Sequence, residues 1–420
     1  MNTIVQVRPR RRPARRAALA ALLALAAAPA AASAEPGPVM TEPLPQRLAA
    51  ISCLGDPATS VATPVLLVHG TGVTSQENWP SNHQPVLLRR GHAVCTVTMP
   101  GFGYVDVQRS AEYVATAIRE VHRRAGGRRL SIVGQSQGAF QPVFALRIWP
   151  DLAAMVDDLV GLVGAYDRGS TAITAECARP EGCVPAFHQI ATGSELLTAL
   201  ARRALPPGPS YTAIGTLADA TVTPQPAANE QRGMTSVQIQ DLCPGRRMPT
   251  GQDHILMAGD AAAFALTTDA LGHPGPAVVA RADRSACGKL FFDGVDLAAF
   301  ALVAPAILTR SGTPTREIPP LRCFLRPDCA DLDGRGRVLT GATARRARDR
   351  VTVTLAAQAP GEIRVLAGTR RVVRRVAPGT RRLTLTVGRA VTRLRIDARP
   401  DGYVPWVRER TLRLTSGRPS

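Results

Sequence analysis

The pentapeptide Gly134-Gln135-Ser136-Gln137-Gly138 follows directly on the apolar run Leu130-Ser131-Ile132-Val133 and precedes a helix-compatible stretch at 139–148. A strand that turns straight into a helix leaves no room at the corner. Glycine is required on both sides of the serine, because a β-carbon there would collide with neighbouring backbone. The strained corner lifts the Ser136 hydroxyl into the open, where it can act as a nucleophile. A surface Gly-Ser-Gly turn would match the same letters, but such turns seldom follow a buried strand so directly.

The surrounding pattern agrees with a strand-to-helix corner. From residue 64 to about 307, short β-branched runs alternate with amphipathic stretches, which predicts an α/β fold with a mainly parallel sheet flanked by helices. Strands are expected at 65–68, 93–98, 130–133, 159–163, 211–216 and 237–242, and helices at 110–124, after Ser136, at 194–204 and at 297–308. A small cap-like insertion breaks the rhythm between 166 and 209. Beyond about 334 the apolar period becomes two, as in Val351-Thr352-Val353-Thr354-Leu355, which predicts a smaller all-β sandwich. The resulting division is a leader at 1–34, a catalytic domain at 35–309, a proline-rich linker at 310–334 and an arginine-rich sandwich at 335–420.

The leader carries Arg8, Arg10, Arg11, Arg12, Arg15 and Arg16, then an alanine-rich apolar stretch, then Ala32-Ser33-Ala34. That order predicts a secretory signal peptide. The apolar stretch contains Pro29 and is short for a bilayer span. Arg15-Arg16 leaves twin-arginine export open beside the general route. An exported chain with eight cysteines points to disulfides rather than metal, and no pair has C-x-x-C spacing. Cys177/Cys183 and Cys323/Cys329 are each close enough to close a small loop. Cys53, Cys95, Cys243 and Cys287 then remain, with Cys53/Cys95 and Cys243/Cys287 the natural pairs, although sequence alone allows others. The formal charge of +19 is uneven. Residues 335–420 hold 21 arginines against five acids, and the leader adds six arginines, so the middle of the chain is slightly negative. Nucleic acid is therefore not expected as a partner of the main domain, whereas an anionic cell wall or membrane surface is open to the tail.

A serine nucleophile needs a base, an orienting carboxylate and donors for the oxyanion. In folds of the α/β-hydrolase kind the partners follow in the order Ser, Asp or Glu, His. Asp219 lies just past the expected strand 211–216, and His254 follows the strand 237–242 after a loop. Asp253 is a rival acid, but neighbours in sequence usually point apart. The oxyanion donors are expected from Gln137 and from the loop His69-Gly70-Thr71-Gly72, where Thr71 could add its hydroxyl. Neither G-x-G-x-x-G nor a P-loop lysine is present, and no cofactor or metal is expected. Asp331-Leu332-Asp333-Gly334 begins like a calcium loop but has no distal glutamate.

These residues resemble the family of Candida antarctica lipase B and its bacterial relatives. The resemblance covers roughly 64–308 and rests on ordered matches: Leu67-Val68-His69-Gly70-Thr71-Gly72, Ser136-Gln137-Gly138, Ala191-Thr192-Gly193-Ser194, Asp219 with Val222 and Pro224, and Asp253-His254. It implies an α/β-hydrolase fold, a Ser136–Asp219–His254 triad, an oxyanion hole of Thr71 and Gln137, and disulfides Cys53–Cys95 and Cys243–Cys287. It also implies that Asp167 and Val222 sit near the acyl pocket. Gln135 stands where the family has a tryptophan, which leaves alcohol selectivity open and makes Gln135 a candidate substrate contact. The cysteine-closed insertion 177–183 and the arginine-rich tail are further departures.

The expected activity is that of a secreted serine carboxylic-ester hydrolase of lipase type, acting on an ester or lipid at a lipid–water interface. The alternatives are a short-chain esterase, a polyester depolymerase of the same fold, or a non-catalytic surface-binding protein.

Overall fold

The computed structural model describes residues 37–38, 40–249, 251–302, 305, 310, 312–325, 338–357, 361–377, 379–388, 390–400 and 407–414. The expected signal peptide and the Asp331-Leu332-Asp333-Gly334 motif lie outside these.

Seven strands form the central sheet: β1 (Ile51–Leu54), β2 (Val65–Val68), β3 (Val94–Val97), β4 (Leu130–Gln135), β5 (Val156–Leu162), β6 (Ser210–Gly215) and β7 (Thr235–Gln238), in the order β1-β3-β2-β4-β5-β6-β7. β1 runs antiparallel to β3 at the edge, and every other neighbour is parallel. The apolar runs are continuous because both faces are covered. Leu66, Val68 and Ile132 enter one core cluster, while Val65, Leu67 and Val133 enter the other, as the two-residue pleat demands. Helices Val107–Arg124 and Gln137–Ile148 contribute to the first cluster, and Ala261–Gly272 to the second. Cys53 faces Cys95 across the β1/β3 ladder and is bonded to it. Cys177–Cys183 and Cys243–Cys287 are the other two disulfides among the described residues. Cys329 lies outside them.

Three expectations need correction. The strand expected at 237–242 is β7, ending at Gln238, followed by a helical turn Ile239–Leu242. The Asp241 carboxylate accepts from the Gln238 N–H at 2.8 Å and caps that turn, which ends the strand early. Sequence reading also missed β1 and the helix Leu44–Ala49 before it.

The third concerns the stretch after residue 310, read as a linker because of its prolines. Its described part is a strap lying on the body built around the seven-stranded sheet. Thr315 forms an antiparallel bridge with Cys183, Arg322 pairs with the buried Glu112, and Phe324 is buried in the first core cluster. Proline lacks the N–H that a sheet would need but suits an extended surface course.

The C-terminal part has strands β8 (Leu339–Ala347), β9 (Arg350–Ala357), β10 (Gly361–Ala367), β11 (Arg370–Val376), β12 (Gly379–Thr386), β13 (Arg393–Pro400) and β14 (Val407–Arg413). They form two antiparallel sheets, β11-β10-β13-β14 and β12-β9-β8. Val351, Val353 and Leu355 of one sheet and Ile363, Val365 and Ile396 of the other fill a single cluster, so the sheets share one core.

Candidate active site

The end of β4 and the start of the next helix make the corner anticipated from the pentapeptide. Ser136 sits at φ 54°, ψ −122°, a conformation that β-carbon-bearing residues rarely adopt. A β-carbon on Gly134 would lie 2.0 Å from the Gly138 carbonyl oxygen, and one on Gly138 would lie 2.1 Å from that of Val68. Both positions therefore need glycine.

The corner brings Ser136 Oγ to 2.9 Å from His254 Nε2. His254 Nδ1 lies 2.8 Å from Asp219 Oδ2. The other oxygen of Asp219 accepts from the Thr221 and Val222 N–H groups, each at 2.8 Å, so the carboxylate is held from two sides. Asp253 is turned away. Its carboxylate accepts from the Met248 N–H at 2.9 Å and braces its own loop.

Gln137 is the first residue of its helix, so its N–H has no carbonyl within the helix to bond. Thr71, on the loop after β2, donates its hydroxyl to Gln137 Oε1 at 3.3 Å. The Thr71 N–H shares a peptide plane with the Gly70 carbonyl, and in a trans peptide the two point opposite ways. His69 therefore helps to aim it. His69 Nε2 accepts from the Met99 N–H at 2.8 Å, which leaves the proton on Nδ1 to donate to the Gly70 carbonyl at 2.6 Å. Complete burial lowers the pKa of His69 to about 4, so the ring keeps this neutral tautomer.

A cavity of about 570 Å³ opens over Ser136 and His254. Its walls are largely apolar, with Phe140, Ile173, Val184, Phe187, Ile190 and Val222. Charged residues, Glu176, Arg179, Glu181 and Arg310, also line it.

No known family profile matches the chain. Lipase B of Pseudozyma antarctica is 31% identical over 163 residues, which is 39% of this chain and 47% of that protein. The chain thus matches about half the length of that curated relative. Aspergillus fumigatus lipase B superposes with a TM-score of 0.58 over 70% of this chain and 74% of its own, at 24% identity. The sequence match supports the lipase B-like resemblance, and the structural match shows the fold. The fold is that of an α/β-hydrolase. A metagenomic carboxyl esterase is 23% identical over 37% of this chain and 51% of its own, with a TM-score of 0.30.

Within this fold the remaining expected pocket residues separate. Val222 lines the cavity, as does Gln135, but the Gln135 amide is engaged by protein groups rather than free. Asp167 does not sit at the acyl pocket as expected. It is gripped by the Arg147 guanidinium at 2.5 and 3.0 Å and by Gln231 at 3.0 Å, and Ala165, two residues earlier, lines the cavity instead. A buried arginine needs a carboxylate partner, and Asp167 serves that need.

Sequence reading missed the strap. Arg310, Gly312 and Pro314 form part of the cavity wall. Arg310 pairs with Glu77, donates to the Gly72 carbonyl at 3.0 Å and lies 4.2 Å above the Phe102 ring. Asn78 was missed as well. The Gly-Thr-Gly loop pointed to a strand end, but nothing in the following Ser-Gln-Glu-Asn run marks a residue that folds back beneath it.

Proposed function

We propose that the chain is a serine carboxylic-ester hydrolase of lipase type. The observation that carries this reading is the Ser136–His254–Asp219 hydrogen-bond chain beneath a mostly apolar cavity. Ser136 Oγ attacks the ester carbonyl while His254 Nε2 takes its proton. The imidazolium, oriented by Asp219, then protonates the leaving alcohol. The tetrahedral oxyanion is met by the N–H groups of Gln137 and Thr71, and the Thr71 hydroxyl joins them by turning from Gln137 Oε1. Water repeats the sequence on the acyl-enzyme and releases the acid. The apolar wall suits an acyl chain better than a sugar.

Export fits the same reading, since the leader has the order of a signal peptide and three disulfides suit an oxidising compartment. The arginines of β11 and β12, among them Arg371, Arg374, Arg381 and Arg382, are exposed and would favour an anionic cell wall or membrane surface. Salt-sensitive sedimentation with anionic but not neutral vesicles tests that contact.

The substrate class is tested with p-nitrophenyl esters from acetate to palmitate. Turnover rising with chain length supports a lipase. Turnover confined to acetate favours a short-chain esterase and contradicts the lipase reading.

A further inference from the structure

The side chain that occupies the position before the nucleophile is built into a hydrogen-bond relay. At one end, Asn78 Oδ1 accepts from the Gly70 N–H at 3.1 Å. Asn78 Nδ2 then donates to Gln135 Oε1 at 2.9 Å. At the other end, Gln135 Nε2 donates to the carbonyls of Ile255 at 3.0 Å and His254 at 3.2 Å. Both amides are buried, at 5% and 6% exposure.

The direction of this relay is fixed by its ends. A peptide N–H can only donate, so Asn78 must present its oxygen to Gly70 and its nitrogen to Gln135. Peptide carbonyls can only accept, so Gln135 must present its nitrogen to residues 254 and 255 and its oxygen to Asn78. Each amide can satisfy its neighbours in one orientation only. Flipping either would place like groups against each other in a buried site, where an unmet polar contact is costly.

The three segments joined are the ones the proposed chemistry must hold in register. Gly70 precedes Thr71, Gln135 precedes Ser136, and the carbonyls belong to His254 and its neighbour. We propose that Gln135 and Asn78 are positioning residues that lock the His254 segment and the Thr71 loop to the nucleophile corner. The proposal rests on the serine-hydrolase reading above. It also changes the expected role of Gln135, from a substrate contact to a brace whose amide is spent on the protein.

Displacing a reacting group by about 1 Å can cost on the order of 100-fold in rate. The test measures kcat, KM and the stoichiometry of Ser136 labelling by a p-nitrophenyl phosphonate for wild type, Gln135→Met, Asn78→Asp and the double variant. Gln135→Glu, close to isosteric, serves where Gln135→Met does not fold, as judged by near-ultraviolet circular dichroism. The expected result is a kcat lower by about 10- to 100-fold in each single variant, with KM within about twofold and labelling still reaching one per chain, only more slowly. The double variant should lose little more than the worse single variant, because one broken link already uncouples the ends. A raised KM with unchanged kcat would make Gln135 a substrate contact and overturn the proposal, as would additive losses or unchanged kinetics. Failure of the hydrolase reading itself is separate: wild type would then show neither ester turnover nor labelling at Ser136.

Discussion

Both terminal nitrogens of Arg310 grip the Glu77 carboxylate, each at 2.8 Å, and so fasten the strap to the short helix Ser75–Asn78 that follows β2. The pair is partly exposed, and the guanidinium beside Glu77 holds that carboxyl well below the usual carboxylate range. Exposed pairs of this kind contribute only about 0.2–1 kcal/mol to stability. The effect of the pair should instead appear in the cavity wall. Arg310→Met is expected to leave the thermal midpoint within a few degrees of wild type. It should raise KM for long-chain esters roughly fivefold, the equivalent of about 1 kcal/mol of lost binding. Steady-state kinetics on butyrate and palmitate esters check this, and equal KM values for the variant and wild type would contradict it.

The nucleophile corner makes a sharper claim about backbone. At Gly138 a methyl group would meet the carbonyl oxygens of Val68 at 2.1 Å and His69 at 2.4 Å, both backbone atoms at the end of β2 rather than a side chain that could turn aside. Gly138→Ala should cost about 3 kcal/mol or more, or prevent recovery of folded protein. Gly272→Ala, with nothing within 4 Å of the added carbon, should stay within about 0.5 kcal/mol of wild type. Urea unfolding of the two variants is the comparison to make.

Acid should weaken the fold through buried histidines. His83 is enclosed by Trp79, Phe264 and Phe292, and burial pushes its pKa down from 6.5 to about 3. The unfolded chain thus takes a proton near pH 6.5 that the folded chain refuses, and stability is lost as pH falls from 6.5 towards 3. His69 acts in the same direction between 6.5 and about 4. Asp158 opposes them. Burial raises its pKa from 3.8 to about 6, so its contribution is present at low pH and lost as pH rises through 6. His83→Phe removes this one titrating group. Its thermal midpoint should fall less steeply than that of wild type between pH 6.5 and 4, and parallel slopes would count against the assignment.

The Cys177–Cys183 bridge closes a short loop whose end, at Gly182 and Cys183, holds Thr315 of the strap. Loop-closure entropy for so short a ring is roughly 2 kcal/mol. The double variant Cys177→Ser, Cys183→Ser should fold and lose about that much, while KM for long esters rises more than KM for acetate. A uniform change across chain lengths would place the loop outside the acyl path.

Much of the fold was legible because parallel strands covered on both faces leave apolar runs that stand out, as at 65–68 and 130–133. The glycines around Ser136 mark the corner because the turn leaves no room for a β-carbon at either position. The strap was not legible. Prolines and charges at 310–322 describe an exposed, extended segment equally well whether it hangs free or is fastened by Glu77 and Glu112. The β7 boundary was lost to a capping carboxylate at Asp241, which acts over three residues inside an otherwise strand-like run. Asp167 was misplaced for a different reason: the resemblance that put it near the acyl pocket says nothing about a buried arginine, Arg147, on another element that takes its carboxylate.

The proposed chemistry stands or falls with Ser136 as the nucleophile of an ester hydrolase. The most direct measurement is covalent labelling with a p-nitrophenyl phosphonate, located by peptide mass spectrometry and paired with ester turnover by Ser136→Ala. One label per chain is expected on Ser136 in wild type. No label is expected at that position in the variant, with kcat lower by on the order of 10⁴-fold or more. A label on another residue, or ester turnover undiminished in Ser136→Ala, would contradict it.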